Sequence, residues 1–326
     1  MNPQATRFLD IFAAGTAFVS LHPQPFTLTA ADGFPLGATL YAPRWSAKAA
    51  LVVAGDPTVS QGFYRRFAEF AANRGFEVLT FDYRGIGSSS PPTLRDFRMD
   101  LLDWGRLDFA AAVSCFAHRD LPVYVIGHSF AGAALGLIDC HAQVSGFYVF
   151  GAGTGSEGWM GSRERLRLRA LNGLALPLLT RWNGYSPRKM LGMGEDLPTQ
   201  ACEQWRQWAK LPSGFLDDPG VHAGPSYFSQ VRTRILAANA LDDFWTPGLS
   251  RDALLAAYSQ AQVEARDLDP VLLGSGIGHW GYFRHSAAPY WDEALKWFDG
   301  LARREGAEAQ QGRSNRSPVT GTPTDV

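Results

Sequence analysis

Short apolar runs separated by stretches with helical spacing constrain this fold more than any other feature of the chain. AALVVAG (49–55) is apolar without a break, as in a strand buried on both faces of a parallel sheet. FYRRFAEFAANRG follows, with Phe63, Phe67 and Phe70 at helical spacing and Gly75 as a stop. Next come a strand in FEVLTFDYRG (76–85) and a helix in LDFAAAVSCFAHR (107–119), then a buried strand in LPVYVIG (121–127) and another in VSGFYVFG (144–151). Each strand–helix–strand crossover implies parallel neighbours joined right-handedly. The expected fold class is therefore α/β: a doubly wound, mostly parallel sheet with ligands at the carboxyl ends of its strands.

Ahead of this pattern, FTLTAADGFPLGATLYAP predicts two strands around the turn Asp32-Gly33. Between Thr154 and about Val231 the alternation breaks, and Trp159, Trp182, Trp205 and Trp208 occur among short helical pieces. This stretch is expected to be an inserted helical cap. The sheet resumes with TRILAANA (233–240), a helix over 248–261, a strand near VEARDL (263–268) and a closing helix over 287–302. The expected division is an extension over 1–25, the first core part over 26–153, the cap over 154–231, the second core part over 232–302 and a disordered tail over 303–326.

A formal net charge of -1 on 326 residues gives no global attraction to nucleic acid or to an anionic membrane, so a small, uncharged or modestly charged ligand is expected. Cys115, Cys140 and Cys202 match no metal spacing and cannot all pair, which favours buried free thiols in a reducing, cytoplasmic setting. IFAAGTAFVSL (11–21) is too short to span a bilayer, so no stable membrane insertion is expected. Oligomeric state is left open.

VIGHSFAGAALG (125–136) carries the chemistry. Ser129 follows a buried strand and precedes a small-residue helix start, the setting of a nucleophile elbow, with Gly127 and Ala131 where G-x-S-x-G has its two glycines. A serine hydroxyl needs a base, an acid to orient that base, and donors for the oxyanion. Asp243 is the preferred acid over its neighbour Asp242, both lying after a late strand, and His279 in GSGIGHWGYFRH is the base, with His285 as its rival. His128 adjoins Ser129 but should point away. For the oxyanion, the Phe130 N–H needs a second donor from GDPTVSQ; Pro57 has none, leaving Asp56, Thr58 or Val59, with Thr58 favoured. Trp159 and Phe130 are expected to line an apolar acyl pocket. No metal or cofactor is called for.

Two motifs are set aside. GTGSEG (153–158) matches G-x-G-x-x-G but follows a late strand and runs into the irregular stretch, and SRERLRLR (162–169) places Arg163, Arg165, Arg167 and Arg169 on what is expected to be a solvated face rather than an anion site.

From about Phe26 to Leu301, FDYRGIGSS, GHSFAG, GYSPRKMLGMGEDLP, QWRQWAK and IGHWGYFR resemble, in order and spacing, the α/β-hydrolase superfamily, and within it the serine-aminopeptidase and monoacylglycerol-lipase-like type. The resemblance implies Ser129 as nucleophile, His279 as base and an aspartate of the 242–243 pair as acid. Two departures stand out: Ala131 for the elbow glycine, and Asp-Pro-Thr where that group usually has an Ala-Thr-Gly type loop. The expectation is a serine hydrolase acting on a small-molecule acyl substrate, a carboxylic ester first of all. The alternatives are an acyltransferase, an aminopeptidase using Glu157, Glu195 or Asp196 to hold an ammonium, and a catalytically weak binding protein.

Overall fold

The computed structural model describes residues 22–314, so the apolar segment 11–21 and residues 315–326 lie outside the described residues. Its centre is an eight-stranded sheet in the order β1-β2-β4-β3-β5-β6-β9-β10. The strands are β1 (Gln24–Thr29), β2 (Pro35–Tyr41), β3 (Ala49–Ala54), β4 (Phe76–Phe81), β5 (Val123–His128), β6 (Val144–Phe150), β9 (Arg234–Ala240) and β10 (Val263–Leu268). Strands β4, β3, β5, β6, β9 and β10 pair in parallel, whereas β2 pairs antiparallel to both β1 and β4. The hairpin around Asp32-Gly33 forms as its turn residues require.

Strands β3, β4 and β5 are buried along their whole length because helices cover both faces. Alternation divides them: Ala50, Val52 and Ala54 enter one core, and Leu51 and Val53 the other. The expected helix at 107–119 instead opens with a wide turn at Trp104–Phe109 and runs Ala110–Ser114; the helix expected over 248–261 is Gly248–Leu255.

The closing helix spans Ala288–Ser314 and so continues into the stretch expected to be disordered from 303. Ala, Arg, Glu and Gln dominate that stretch and are strong helix formers, so local propensity extends the helix where apolar periodicity has ended. Among the described residues no helix is long and apolar enough to cross a membrane. All three cysteines are free, but only Cys202 is fully buried; Cys115 and Cys140 are half-buried.

Between β6 and β9 lie the helices Ser162–Ala170, Leu176–Asn183, Thr199–Lys210 and Pro219–Ala223, with a small antiparallel pair of β7 (Tyr185–Ser186) and β8 (Leu197–Pro198). None of the Ser162–Ala170 helix is buried, and Arg169 pairs with Glu157, so the arginine run is a solvated face. The loop after β7 docks on the core: the Glu195 N–H donates to the Thr58 carbonyl, and a side chain at Gly194 would collide with that same oxygen.

Candidate active site

Ser129 sits at the carboxyl end of β5 with φ 59, one of two non-glycine residues with positive φ among those described. Such a conformation costs about 1–3 kcal/mol and persists only where its surroundings impose it. Here the Ser129 N–H donates to the Phe150 carbonyl at 2.9 Å, and the crossing of strand and helix is tight. A Cβ at Gly127 would stand 2.7 Å from the Phe147 ring, and one at Gly132 would stand 2.7 Å from the Ala152 Cβ. The close approach therefore falls on 127 and 132, and Ala131 is accommodated, fully buried, in the core.

The turn aims the serine hydroxyl at His279, whose Nε2 is 2.9 Å from Ser129 Oγ. On the other side of the ring, His279 Nδ1 is 2.9 Å from Asp243 Oδ2. Asp243 also accepts from the Thr246 hydroxyl at 2.8 Å, the Tyr282 hydroxyl at 2.8 Å and the Trp245 N–H at 3.0 Å. Although burial opposes its charge, His279 and these donors hold its carboxyl down to about 2. Asp242 does different work: exposed, it accepts from the Ile277 and Gly278 N–H groups and so ties the histidine loop to the aspartate loop. His285 is exposed and is not among the residues that line the cavity beside Ser129.

A second line of hydrogen bonds runs beneath the first. The Asp56 N–H donates to the Tyr64 hydroxyl at 2.6 Å, Tyr64 donates to His128 Nδ1 at 2.8 Å, and His128 Nε2–H donates to the His279 carbonyl at 2.7 Å. Burial, aided by the charge of His279, pushes His128 down to about 4, so the ring stays neutral and can accept from Tyr64. As expected, His128 points away from the serine. Asp56, His128 and His279 bring ligand-type atoms within 4.8 Å of one another, but each of the four ring nitrogens already has a protein partner.

The loop after β3 corrects the sequence reading. The Thr58 N–H, expected as an oxyanion donor, donates to Asp56 Oδ1 at 2.7 Å. The Asp56 N–H is held by Tyr64, and the Val59 N–H donates to the Asp56 carbonyl. An aspartate that caps the backbone two residues on closes this turn, with Pro57 between. Asp56 Oδ2 accepts from Trp280 Nε1 at 3.1 Å and lies 3.6 Å from His279 Nε2. The Thr58 hydroxyl, by contrast, is buried with no partner among the described residues, and Thr58 is one of the residues that line the cavity beside Ser129. The Phe130 N–H is likewise without a protein partner among them.

The model of the alpha/beta hydrolase family matches residues 50–293, which contain every element of this arrangement. The chain belongs to that family. Similar solved structures include a hypothetical protein from Pseudomonas aeruginosa (17% identity, TM-score 0.59, 87% of this chain and 95% of that one). A monoglyceride lipase from Saccharomyces cerevisiae (14%, 0.61, 88% and 97%) and an esterase from Pyrococcus furiosus (12%, 0.57, 93% and 94%) are also similar. No curated protein matches the sequence.

In this alpha/beta hydrolase the cavity over Ser129 is lined mostly by apolar groups, among them Ala133, Met160, Leu168, Trp205, Trp208 and Phe215. Trp208 stacks on Phe130 with ring centroids 6.2 Å apart and planes 8° from parallel. Of the four tryptophans read as cap aromatics, Trp205 and Trp208 reach the cavity; Trp182 is 86% exposed, and Trp159 is not in the lining. The turn Glu157–Trp159 directs Trp159 elsewhere and brings the next residue, Met160, to the cavity instead.

Trp245 and Trp280 line it as well, and sequence reasoning missed both. The available signal was position, two residues after Asp243 and one after His279. Sequence reasoning weighed Asp56 only for its N–H, not its carboxylate, and it did not weigh Arg188. Glu157 pairs with Arg169, Glu195 with Lys189, and Asp196 accepts from the Lys189 N–H; none of these carboxylates lines the cavity. The glycines of GTGSEG pass from β6 into the insertion, and Gly153 and Gly155 form part of the cavity wall.

Proposed function

We propose that this chain is a serine hydrolase that cleaves a carboxylic ester through an acyl-enzyme, with Ser129 as nucleophile, His279 as base and Asp243 as the acid that orients it. The observation that carries this reading is the continuous line Ser129 Oγ, His279 Nε2, His279 Nδ1, Asp243 Oδ2, each link 2.9 Å, at a serine held in a positive-φ turn. In the first half-reaction Oγ bonds to the ester carbonyl carbon as its proton passes to Nε2. The tetrahedral adduct then collapses, and the leaving alkoxide takes that proton. Water repeats the sequence on the acyl-enzyme and returns the acid and free Ser129. The oxyanion donors in this reading are the Phe130 N–H and Thr58, the latter through its hydroxyl. The free cysteines support a reducing, cytoplasmic location.

The test is rapid mixing with short p-nitrophenyl esters: a burst of nitrophenol equal to the enzyme, and an acyl mass increment on Ser129, are expected. Release at the same rate in Ser129→Ala would remove the acyl-enzyme at that serine. The Asp56 carboxylate, which occupies the Thr58 N–H and sits beside the base, favours a second reading as a weakly active binding protein; that reading predicts neither burst nor turnover.

The acid limb of kcat/KM follows from the charges around His279. Burial works to lower its pKa, but the carboxylates of Asp243 and Asp56 outweigh burial and raise it. The ring acts as a base only when neutral, so activity falls as pH drops through a value above the ordinary ~6.5. Asp56→Asn removes one of the two charges and should move that limb to lower pH. A wild-type limb at or below the ordinary value, or one unmoved in Asp56→Asn, would contradict this electrostatic account.

A further inference from the structure

The cavity contains one cationic side chain that the proposed chemistry does not use. Arg188 lies on the loop after β7, 7% exposed, and its side chain lines the same cavity as Ser129. Its only side-chain hydrogen bond among the described residues is a long one, Nε to the Met193 carbonyl at 3.4 Å, and it enters no ion pair among them. A guanidinium cannot shed its proton to escape burial, so an arginine left without a carboxylate in an apolar enclosure is expensive unless a ligand completes it. Burial indeed works against its charge, while the buried Cys202 thiol and, beyond ion-pair distance, the Asp56 carboxylate act in its favour. The loop is also fixed in place: the Met193 N–H closes on the Arg188 carbonyl, and Glu195 anchors to Thr58.

We propose that Arg188 selects substrates whose acyl part ends in a free carboxylate, so that the ester cleaved is a half-ester of an apolar dicarboxylic acid. This inference rests on the hydrolase reading. The chemistry favours a monoanion: one guanidinium balances one charge and grips a carboxylate with two parallel N–H bonds, while Asp56 in the same cavity repels a second charge. The apolar walls then suit the methylene chain between the two ends.

The experiment compares p-nitrophenyl half-esters of dicarboxylic acids, from succinate to suberate, with the neutral p-nitrophenyl alkanoates of equal length, in wild type, Arg188→Met and Arg188→Lys. Wild type should favour the best half-ester over its neutral counterpart by about tenfold or more, and Arg188→Met should lower that ratio by roughly 100-fold, the scale of a lost charge-assisted pair. Arg188→Lys should fall between, which separates loss of charge from loss of fold.

Binding is read apart from turnover by calorimetry of the monomethyl half-esters of the same dicarboxylic acids, which carry a single charge, on Ser129→Ala and on Ser129→Ala/Arg188→Met. Binding only to the former supports the proposal even if no ester is hydrolysed. A ratio unchanged in Arg188→Met, or equal or absent half-ester binding to both proteins, overturns it.

Discussion

Asp243→Asn is expected to lower kcat for ester hydrolysis about 10⁴-fold, while Asp242→Ala leaves activity within about tenfold of wild type. Both carboxylates hydrogen-bond to the histidine loop, but with different groups. Asp243 receives the ring Nδ1–H, so an amide there admits the wrong tautomer and removes the charge that stabilises the imidazolium formed on attack. Asp242 receives only the Ile277 and Gly278 N–H groups, and its loss should appear as about 1 kcal/mol of stability. Steady-state kinetics and thermal melts on the two variants separate the roles. Comparable losses of kcat in both would mean that the aspartate loop matters as scaffold and not through the ring contact.

Thr58→Val is expected to cost 10²–10³ in kcat, about 2.7–4 kcal/mol of transition-state stabilisation, whereas Thr58→Ser should stay within about threefold of wild type. Every backbone N–H in the Asp56–Val59 turn is committed or missing, so the hydroxyl is the donor the turn has left to offer. Valine keeps the shape and deletes the donor; serine keeps the donor. Equal kcat in Thr58→Val would show that Phe130 alone carries the developing charge, or that the turn opens to release the Thr58 N–H.

Ser129, Asp243 and His279 were legible in the sequence because each is announced by its place in the sheet: an elbow after β5, a carboxylate after β9, and a histidine in the glycine-rich stretch before the closing helix. The strands themselves were legible because continuous apolar runs leave few alternatives to a sheet covered on both faces. What sequence did not reveal depends on direction. Which side of a short turn faces a cavity separates Met160 from Trp159, and no spacing rule gives that.

Thr58 was placed beside Ser129 by position, but its N–H, the group expected to face the oxyanion, is turned to another partner. The Asp56 carboxylate claims the nearest N–H, a local competition that a loop motif does not display. Arg188 lies inside the stretch GYSPRKMLGMGEDLP, where no periodicity or spacing signals that the fold buries it. The elbow shows the converse: Ala131 departs from the pattern, yet Gly132 supplies the close approach one residue later.

If Ser129 is an activated nucleophile, it reacts covalently with a fluorophosphonate. Intact-mass measurement should find one phosphonyl group per wild-type chain, mapped to Ser129, and none on Ser129→Ala, with labelling strongly slowed in His279→Ala. An unlabelled wild type, or equal labelling of Ser129→Ala, would contradict the account.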